Sequence, residues 1–147
     1  MADPHDRSDR FELIAACDEE TLAGFANDVL EDDPPLLIRQ DPRPKLLLQQ
    51  VQEPVERRPF NLGEVVVTPA EVTLGDTRGF AMVPGKRERA ALSGAIVDAA
   101  VAAAHEQTPA IVEELRAVEA RQRDQHRQSW AESRHTTVTF ETMEEQR

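Results

Sequence analysis

Two apolar runs that lead directly into an alanine-rich segment constrain the fold more than any other feature of the chain. Residues 64–74 are rich in valine, and residues 80–83 follow after the turn-forming connector 75–79. Valine favours strands and the glycines of the connector favour a reversal, so these runs predict two antiparallel strands. Residues 87–105 then predict a helix, and its many alanines predict close packing on the sheet. One stripe of this helix holds Leu92, Ile96, Ala99 and Ala103.

Two short amphipathic helices are predicted ahead of these strands. The first carries apolar residues between Phe11 and Ala15, and Asp18 provides a side-chain cap for the second. Apolar residues at helical spacing form the inner face of the second helix, namely Leu22, Phe25, Ala26 and Val29. Pro34 and Pro35 end this helix, because proline lacks the N–H that a helix interior needs.

Two further strands are predicted between the second helix and residue 64. Residues 36–39 and 46–51 flank the proline-containing connector 41–44, which predicts an antiparallel hairpin. With the strands at 64–74 and 80–83, the simplest sheet is a sequential antiparallel meander of about four strands. Pro69 predicts a bulge or an edge position, since proline cannot donate to a central ladder.

A last helix is predicted from Thr108 and Pro109, with Ile111, Leu115 and Val118 facing inward. Residues 121–129 have no apolar side chain, so this part either projects into water or reaches another protein, with Trp130 as an interface anchor. Residues 136–140 return to β-branched and aromatic types, which predicts an extended tail that adds a strand within this chain or to a partner.

The predicted fold class is therefore α+β, a single domain over residues 1–147. It has two N-terminal helices, the four-stranded antiparallel sheet, two C-terminal helices, a short flexible N-terminal end and an extended C-terminal tail that docks on a partner. One core is the expectation for a chain of 147 residues.

The net charge of -11 opposes general affinity for nucleic acid or an anionic membrane. Only Lys45 and Lys86 are lysines among 17 basic residues. An acidic surface with few lysines is typical of a halophile, and the alternative is an ordinary acidic protein.

The sequence holds no apolar run near the roughly 18 residues of a membrane span. Cys17 is the sole cysteine, which excludes an internal disulfide, so we expect a reducing, cytoplasmic location.

Catalytic residues cannot be assigned from the sequence. Residues 79–87 have glycine spacing one residue longer than a phosphate loop, and Arg87 stands where such a loop needs Ser or Thr. Lys86 and Arg87 at a helix start nevertheless suit a phosphate contact, the alternative being an ordinary corner with solvated cations. The four histidines lack the helical pairing and the neighbouring carboxylates of a metal site, so no metal is expected.

Three groups of residues carry a resemblance to a known family. They are Phe60–Glu64 with Val67 and Thr68, Gly79–Val83 with Gly85, and Val138–Phe140 with Thr142 and Met143. Together with the alanine-rich helix, their arrangement resembles the PhnG family, the G subunit of the carbon-phosphorus lyase core complex. The chain departs from the family at Pro69, where relatives usually carry a basic residue, and at Glu141 and Thr142.

This resemblance implies a subunit of a multi-subunit transferase in phosphonate breakdown, with PhnH-, PhnI- and PhnJ-type partners. The complex uses ATP as a substrate: an alkylphosphonate displaces adenine to give α-D-ribose 1-alkylphosphonate 5-triphosphate. No cofactor is expected on this chain alone, and whether it is an enzyme by itself stays open. Alternatives are a purely structural subunit or an unrelated acidic protein-binding domain. The expected interface residues are Phe60, Leu62, Trp130, Val138, Phe140 and Met143.

Overall fold

The computed structural model describes residues 2–52 and 59–145, with side chains for residues 2–48 and 63–131. Within these ranges the chain forms four helices and four strands, and every strand pair is antiparallel. The elements in order are α1 (Arg7–Ala16), α2 (Glu19–Leu30), β1 (Leu36–Gln40), β2 (Lys45–Gln52), β3 (Pro59–Leu74), β4 (Thr77–Pro84), α3 (Glu88–Ala102) and α4 (Thr108–Glu145). The predicted α+β class, with two helices before the sheet and two after it, is confirmed.

The central strand of the sheet is β3, and the predicted β1–β2 hairpin is wrong. β4 pairs with one edge of β3, whereas β1 and β2 lie end to end along the other edge. The connector 41–44 holds Pro42 and Pro44, whose fixed φ favours extended backbone over reversal. The chain therefore continues in one direction from β1 into β2 instead of turning back.

Pro69 lies within this central strand, opposite Met82 of β4, and not at the predicted bulge or edge. The carbonyl of Val66 accepts from Gly85 N on the β4 side, and Gly75 N donates to Pro35 O on the β1 side, each at 2.8 Å. Backbone groups alternate along a strand, so the nitrogen and the carbonyl of Pro69 point to the β1–β2 side. On that side Pro69 lies between the end of β1 and the start of β2. The N–H that proline lacks is therefore not needed for a hydrogen bond to a neighbouring strand.

Helix α3 lies against the sheet and is buried along most of its length. It covers the face formed by Ala70, Val72, Ala81 and Val83, while α1, α2 and the first turns of α4 pack around its other sides. A side chain at Gly79 would lie 2.6 Å from the Ala99 Cβ and would overlap the Ala95 carbonyl oxygen. The predicted close packing of the alanine-rich helix on the sheet is confirmed, although Ala103 is exposed.

The two N-terminal helices begin at aspartate caps. Asp18 accepts a hydrogen bond from Thr21 N at 3.2 Å, as predicted, and Asp6 caps α1 through Asp9 N at 3.0 Å.

The N-terminal segment contacts α4, because Ala2 N donates to Glu119 Oε1 at 3.0 Å. That hydrogen bond is the main reason why the pKa of Glu119 is lowered.

Helix α4 begins at Thr108 as predicted and buries Ile111, Leu115 and Val118. It continues to Glu145, so the expected extended tail is instead helical. Residues 110–145 contain neither proline nor glycine, and their arginine, glutamine, glutamate and alanine residues favour helix over the local β-branched preference. The rise of a helix along its axis makes α4 on the order of 60 Å long. Among the helices in residues 2–52 and 59–145, none has the length and apolarity needed to cross a membrane.

Candidate functional site

The corner that leads into α3 is organised by Thr68, a buried residue of β3. Its hydroxyl donates to the carbonyl of Gly85 at 2.6 Å and accepts from Arg87 N at 3.1 Å. Gly85 has φ +83°, a left-handed conformation that glycine adopts without strain. The corner is therefore held from within the protein, and one backbone donor that an anion would need is already used by Thr68.

Carboxylates of α2 offset the positive charge near this corner. Arg87 Nε lies 4.0 Å from Glu19 Oε1, and Arg89 Nη1 donates to Glu20 Oε1 at 2.7 Å. The hydrogen bond to Glu20 is the main cause of a raised pKa at Arg89. Lys86 is exposed. The phosphate contact predicted for Lys86 and Arg87 stays a prediction, and Lys86 is the more accessible of the two cations.

A buried ion pair that the sequence reasoning missed connects α1 to α3. Arg10 Nε donates to Asp98 Oδ1 at 2.5 Å, and the two side chains are only 3% and 2% exposed. Arg10 Nη1 also donates to the carbonyls of Pro4 and His5, at 3.0 and 3.1 Å. These extra partners matter because a buried ion pair offsets its desolvation only when its other hydrogen-bonding groups are satisfied.

Asp98 of this ion pair and the neighbouring Arg7 also occupy backbone groups on the outer edge of β4. Asp98 Oδ2 accepts from Phe80 N at 2.9 Å, and Arg7 Nη2 donates to the carbonyl of Arg78 at 2.8 Å. The ring of Phe80 stacks on Phe11 of α1, with centroids 5.8 Å apart. Since Arg10 and Asp98 are shielded from solvent, they hold the fold and have no access to a substrate. The sequence signal was Asp98 itself, a lone charge in the otherwise apolar run 95–101.

The structure brings His105 close to two carboxylates, which the sequence reasoning did not expect. One ligand atom from each of Asp32, His105 and Glu106 lies within 4.8 Å of the others. His105 Nδ1 accepts a hydrogen bond from Gln107 N at 3.1 Å, so the neutral ring carries its proton on Nε2. A metal would have to displace either this proton or this hydrogen bond, and we assign no metal to the cluster.

Cys17 is buried at the end of α1, as predicted for a small core residue. Burial is the main cause that raises the pKa of its thiol to about 11, which keeps it protonated and unreactive. Ser93 is also buried, inside α3. Within residues 2–48 and 63–131, neither residue is placed as an activated nucleophile.

Among the described side chains, large apolar ones are exposed on α4, on β2 and on β1, where they are Leu37 and Ile38. Trp130 is 61% exposed on the part of α4 where residues 120–131 all face solvent, as the polar pattern predicted. Leu46, Leu47 and Leu48 of β2 are exposed as well, Leu46 to 66%. The side chains of the other expected interface residues lie outside the described ones: Phe60, Leu62, Val138, Phe140 and Met143. Their interface role stays a prediction.

Comparison with known proteins supports one assignment. No curated protein matches the chain. A family model described as "Phosphonate metabolism protein PhnG" matches residues 5–145, which is nearly the whole sequence. The resemblance found in the three sequence groups is thereby confirmed, and the chain belongs to the PhnG family of phosphonate metabolism proteins.

Proposed function

We propose that this chain is the G-type subunit of a phosphonate-processing transferase that also contains H-, I- and J-type subunits. The observation that carries the proposal is the family match over residues 5–145. The exposed stretch of α4 with Trp130 supports it, because a long polar helix that leaves its own core is typical of a protein that reaches another body.

The reaction proposed for the assembly joins an alkylphosphonate to the ribose of ATP. A phosphonate oxygen forms a bond to C1′ while the C1′–N bond to adenine breaks, and the electron pair leaves with the purine, which takes up a proton. Such a step needs donors for the triphosphate, an acid for the purine and a site that excludes water. Our proposal places most of these groups on the partner subunits, with ATP and the alkylphosphonate bound by the assembly.

Lys86 is the residue through which this chain would contact a phosphate in a composite site. It is exposed and stands one residue before the Arg87 cap of α3, and the positive end of the helix dipole favours an anion there. Arg87 contributes less to such a contact because Glu19 lies beside it.

A purely structural subunit is the second candidate, and the carboxylates around the α3 corner favour it. Glu19 and Glu20 offset Arg87 and Arg89, and Thr68 already occupies Arg87 N. In this case the chain stabilises its partners and touches neither ATP nor phosphonate. The family match over residues 5–145 argues against the third alternative, an unrelated acidic binding domain.

Lys86→Ala in the reconstituted assembly separates the first two candidates. A phosphate contact predicts that the apparent KM for ATP or phosphonate rises about tenfold to 100-fold, as for loss of a charged hydrogen bond. Arg116→Ala is the matched control, because Arg116 is an exposed cation of α4. Unchanged turnover by an intact Lys86→Ala assembly leaves the structural role. Failure of the wild-type chain to assemble at all rejects both.

A further inference from the structure

The two edges of the sheet are treated differently by the rest of the chain. At the β4 edge, Phe80 N is bound by Asp98 and the Arg78 carbonyl by Arg7. At the opposite edge, β2 pairs only with β3, and within residues 2–52 and 59–145 no helix packs substantially on β2. One edge is thus closed by side chains, and the other is open.

The alternation along β3 shows which backbone groups the open edge presents. Val66 directs its carbonyl to Gly85 on the β4 side, and Val66 is opposite Leu46. Leu46 is therefore in a pair that shares no backbone hydrogen bonds, so its N–H and C=O point away from β3, and those of Leu48 do the same. These are the donors and acceptors that an added strand requires.

The side chains at this edge are apolar on both faces. Leu46 and Leu48 lie on one face and Leu47 on the other, since neighbouring strand residues alternate. All three are exposed by between 45% and 66%. Proteins usually blunt a long apolar edge because it invites pairing with another chain. Here Pro42, Pro44 and Lys45 blunt the connector side, but the three leucines beyond them are left uncovered.

The charge of this edge indicates what kind of strand fits it. Residues 36–48 contain three basic residues, Arg39, Arg43 and Lys45, against the single acid Asp41, whereas the whole chain has a net charge of -11. A second copy pairing edge to edge would place this basic segment against itself. An acidic strand from a different chain would instead meet opposite charge.

We propose that the open β2 edge binds an extended segment of a sister subunit, apolar at alternate positions and flanked by Asp or Glu, as an additional strand of the sheet. This inference rests on the proposed assembly and adds to it a surface, residues 45–48, and a mode of binding. Backbone hydrogen bonds to Leu46 and Leu48 give the register, and Lys45 selects acidic neighbours, since Arg43 already lies 3.8 Å from Asp41.

Hydrogen–deuterium exchange on the purified assembly tests the mode of binding. The amides of Leu46 and Leu48 exchange rapidly in the isolated chain, because they face solvent, and we expect at least about tenfold slower exchange in the assembly. An intact assembly in which these amides exchange as fast as before overturns this inference but leaves the proposed function. Absence of any assembly rejects the proposed function itself. Protection that rises with concentration of the isolated chain assigns the edge to a second copy and overturns the inference.

Two variants test the residues by competition, with tagged and untagged chains co-expressed against limiting sister subunits and their incorporation measured by mass spectrometry. Leu46→Pro removes the outward N–H at a position where an edge strand tolerates proline, and incorporation should fall about tenfold or more. Leu46→Val keeps the N–H and should compete within about twofold. Equal incorporation of Leu46→Pro and Leu46→Val overturns the inference.

A charge reversal tests the selection of acidic neighbours in the same competition. Lys45→Glu should compete about fivefold less well at low salt, because it places a like charge against the acidic strand. Arg116→Glu carries the same charge change on α4 and should have little effect. Equal losses in the two variants would mean that only the net charge of the chain matters. That result would overturn the proposal that Lys45 selects an acidic strand.

Discussion

Arg10 Nε and Asp98 Oδ1 lie 2.5 Å apart in the interior, and their hydrogen bond joins α1 to α3. Removing either partner should lower the stability of the fold considerably. A guanidinium without its carboxylate keeps the full cost of its burial, and the Phe80 amide loses its acceptor at the same time. The pair thus links the N-terminal segment, the central helix and the β4 edge into one unit.

Replacing Asp98 by alanine should therefore lower the free energy of unfolding by about 3 to 5 kcal/mol, the usual cost of breaking a buried ion pair. Urea unfolding followed by circular dichroism measures it. The control is Asp76→Ala, at an exposed turn. It should change stability by less than about 0.5 kcal/mol. Removing both charges with Arg10→Met and Asp98→Leu should cost less than the sum of the single changes. Strict additivity would show that the two groups do not interact.

Gly79 and Gly24 make opposite predictions for the same substitution. Alanine at Gly79 would overlap the Ala95 carbonyl oxygen, so β4 must move away from α3. Such overpacking should cost about 2 kcal/mol or more. Gly24 lies on the exposed side of α2, with nothing within 4 Å of the place that a methyl group would take. Alanine there should stabilise by about 0.5 to 1 kcal/mol. Thermal unfolding of both variants checks the pair, and a neutral Gly79→Ala would contradict the close contact.

Cys17 predicts how stability depends on alkaline pH. Burial raises the pKa of its thiol from 9.0 to about 11, so the folded chain holds this proton more tightly than the unfolded chain. Its contribution is fully present below the unfolded pKa and is lost as pH rises through the folded one, with a total of about 2 to 3 kcal/mol. Cys17→Ala should remove this loss. The chain contains no tyrosine, so no phenol ionises in that range.

The measurement is the free energy of unfolding at several pH values for the wild type and Cys17→Ala. Below the pKa of the unfolded thiol, Cys17→Ala should also cost a constant amount, because it removes a buried sulfur. An identical alkaline slope in the two proteins would mean that the thiol ionises as easily in the folded state as in the unfolded chain. A thiol reagent offers an independent check, since the native chain should react slowly at mildly alkaline pH and the unfolded chain rapidly.

Capping preferences and apolar periodicity predicted the helices and strands of this fold. They do not predict which strands pair, because pairing depends on residues far apart in the sequence. Asp18 at the start of α2 and the apolar residues of α4 follow from capping and periodicity. The strand partners of β1 do not, because residues 41–44 leave both a hairpin and a continued strand open until β3 offers an edge long enough for both strands. The helical end of α4 does not follow from local preference, because the β-branched residues there favour a strand and only the unbroken helix before them favours its continuation.

The site was less predictable than the fold for a related reason. Lys86 and Arg87 could be found from a helix start, but the carboxylates that offset Arg87 come from α2, far away in sequence. The Arg10–Asp98 pair spans 88 residues, and only the odd position of Asp98 in an apolar helix marked it. The cluster of Asp32, His105 and Glu106 is likewise formed by distant segments.

Trp130 is expected to be buried by a partner, and it is the sole tryptophan of the chain. Fluorine NMR of a chain labelled with fluorotryptophan and mixed with unlabelled sister subunits should show one resonance that shifts on assembly, because the ring leaves water. Trp130→Ala should weaken incorporation about 30-fold, as for an interface anchor. It should change the stability of the isolated chain by less than about 0.5 kcal/mol, since this ring is exposed there. Gln128→Ala, also exposed on α4, is the control. An unshifted resonance in an intact assembly would mean that this part of α4 stays in solvent.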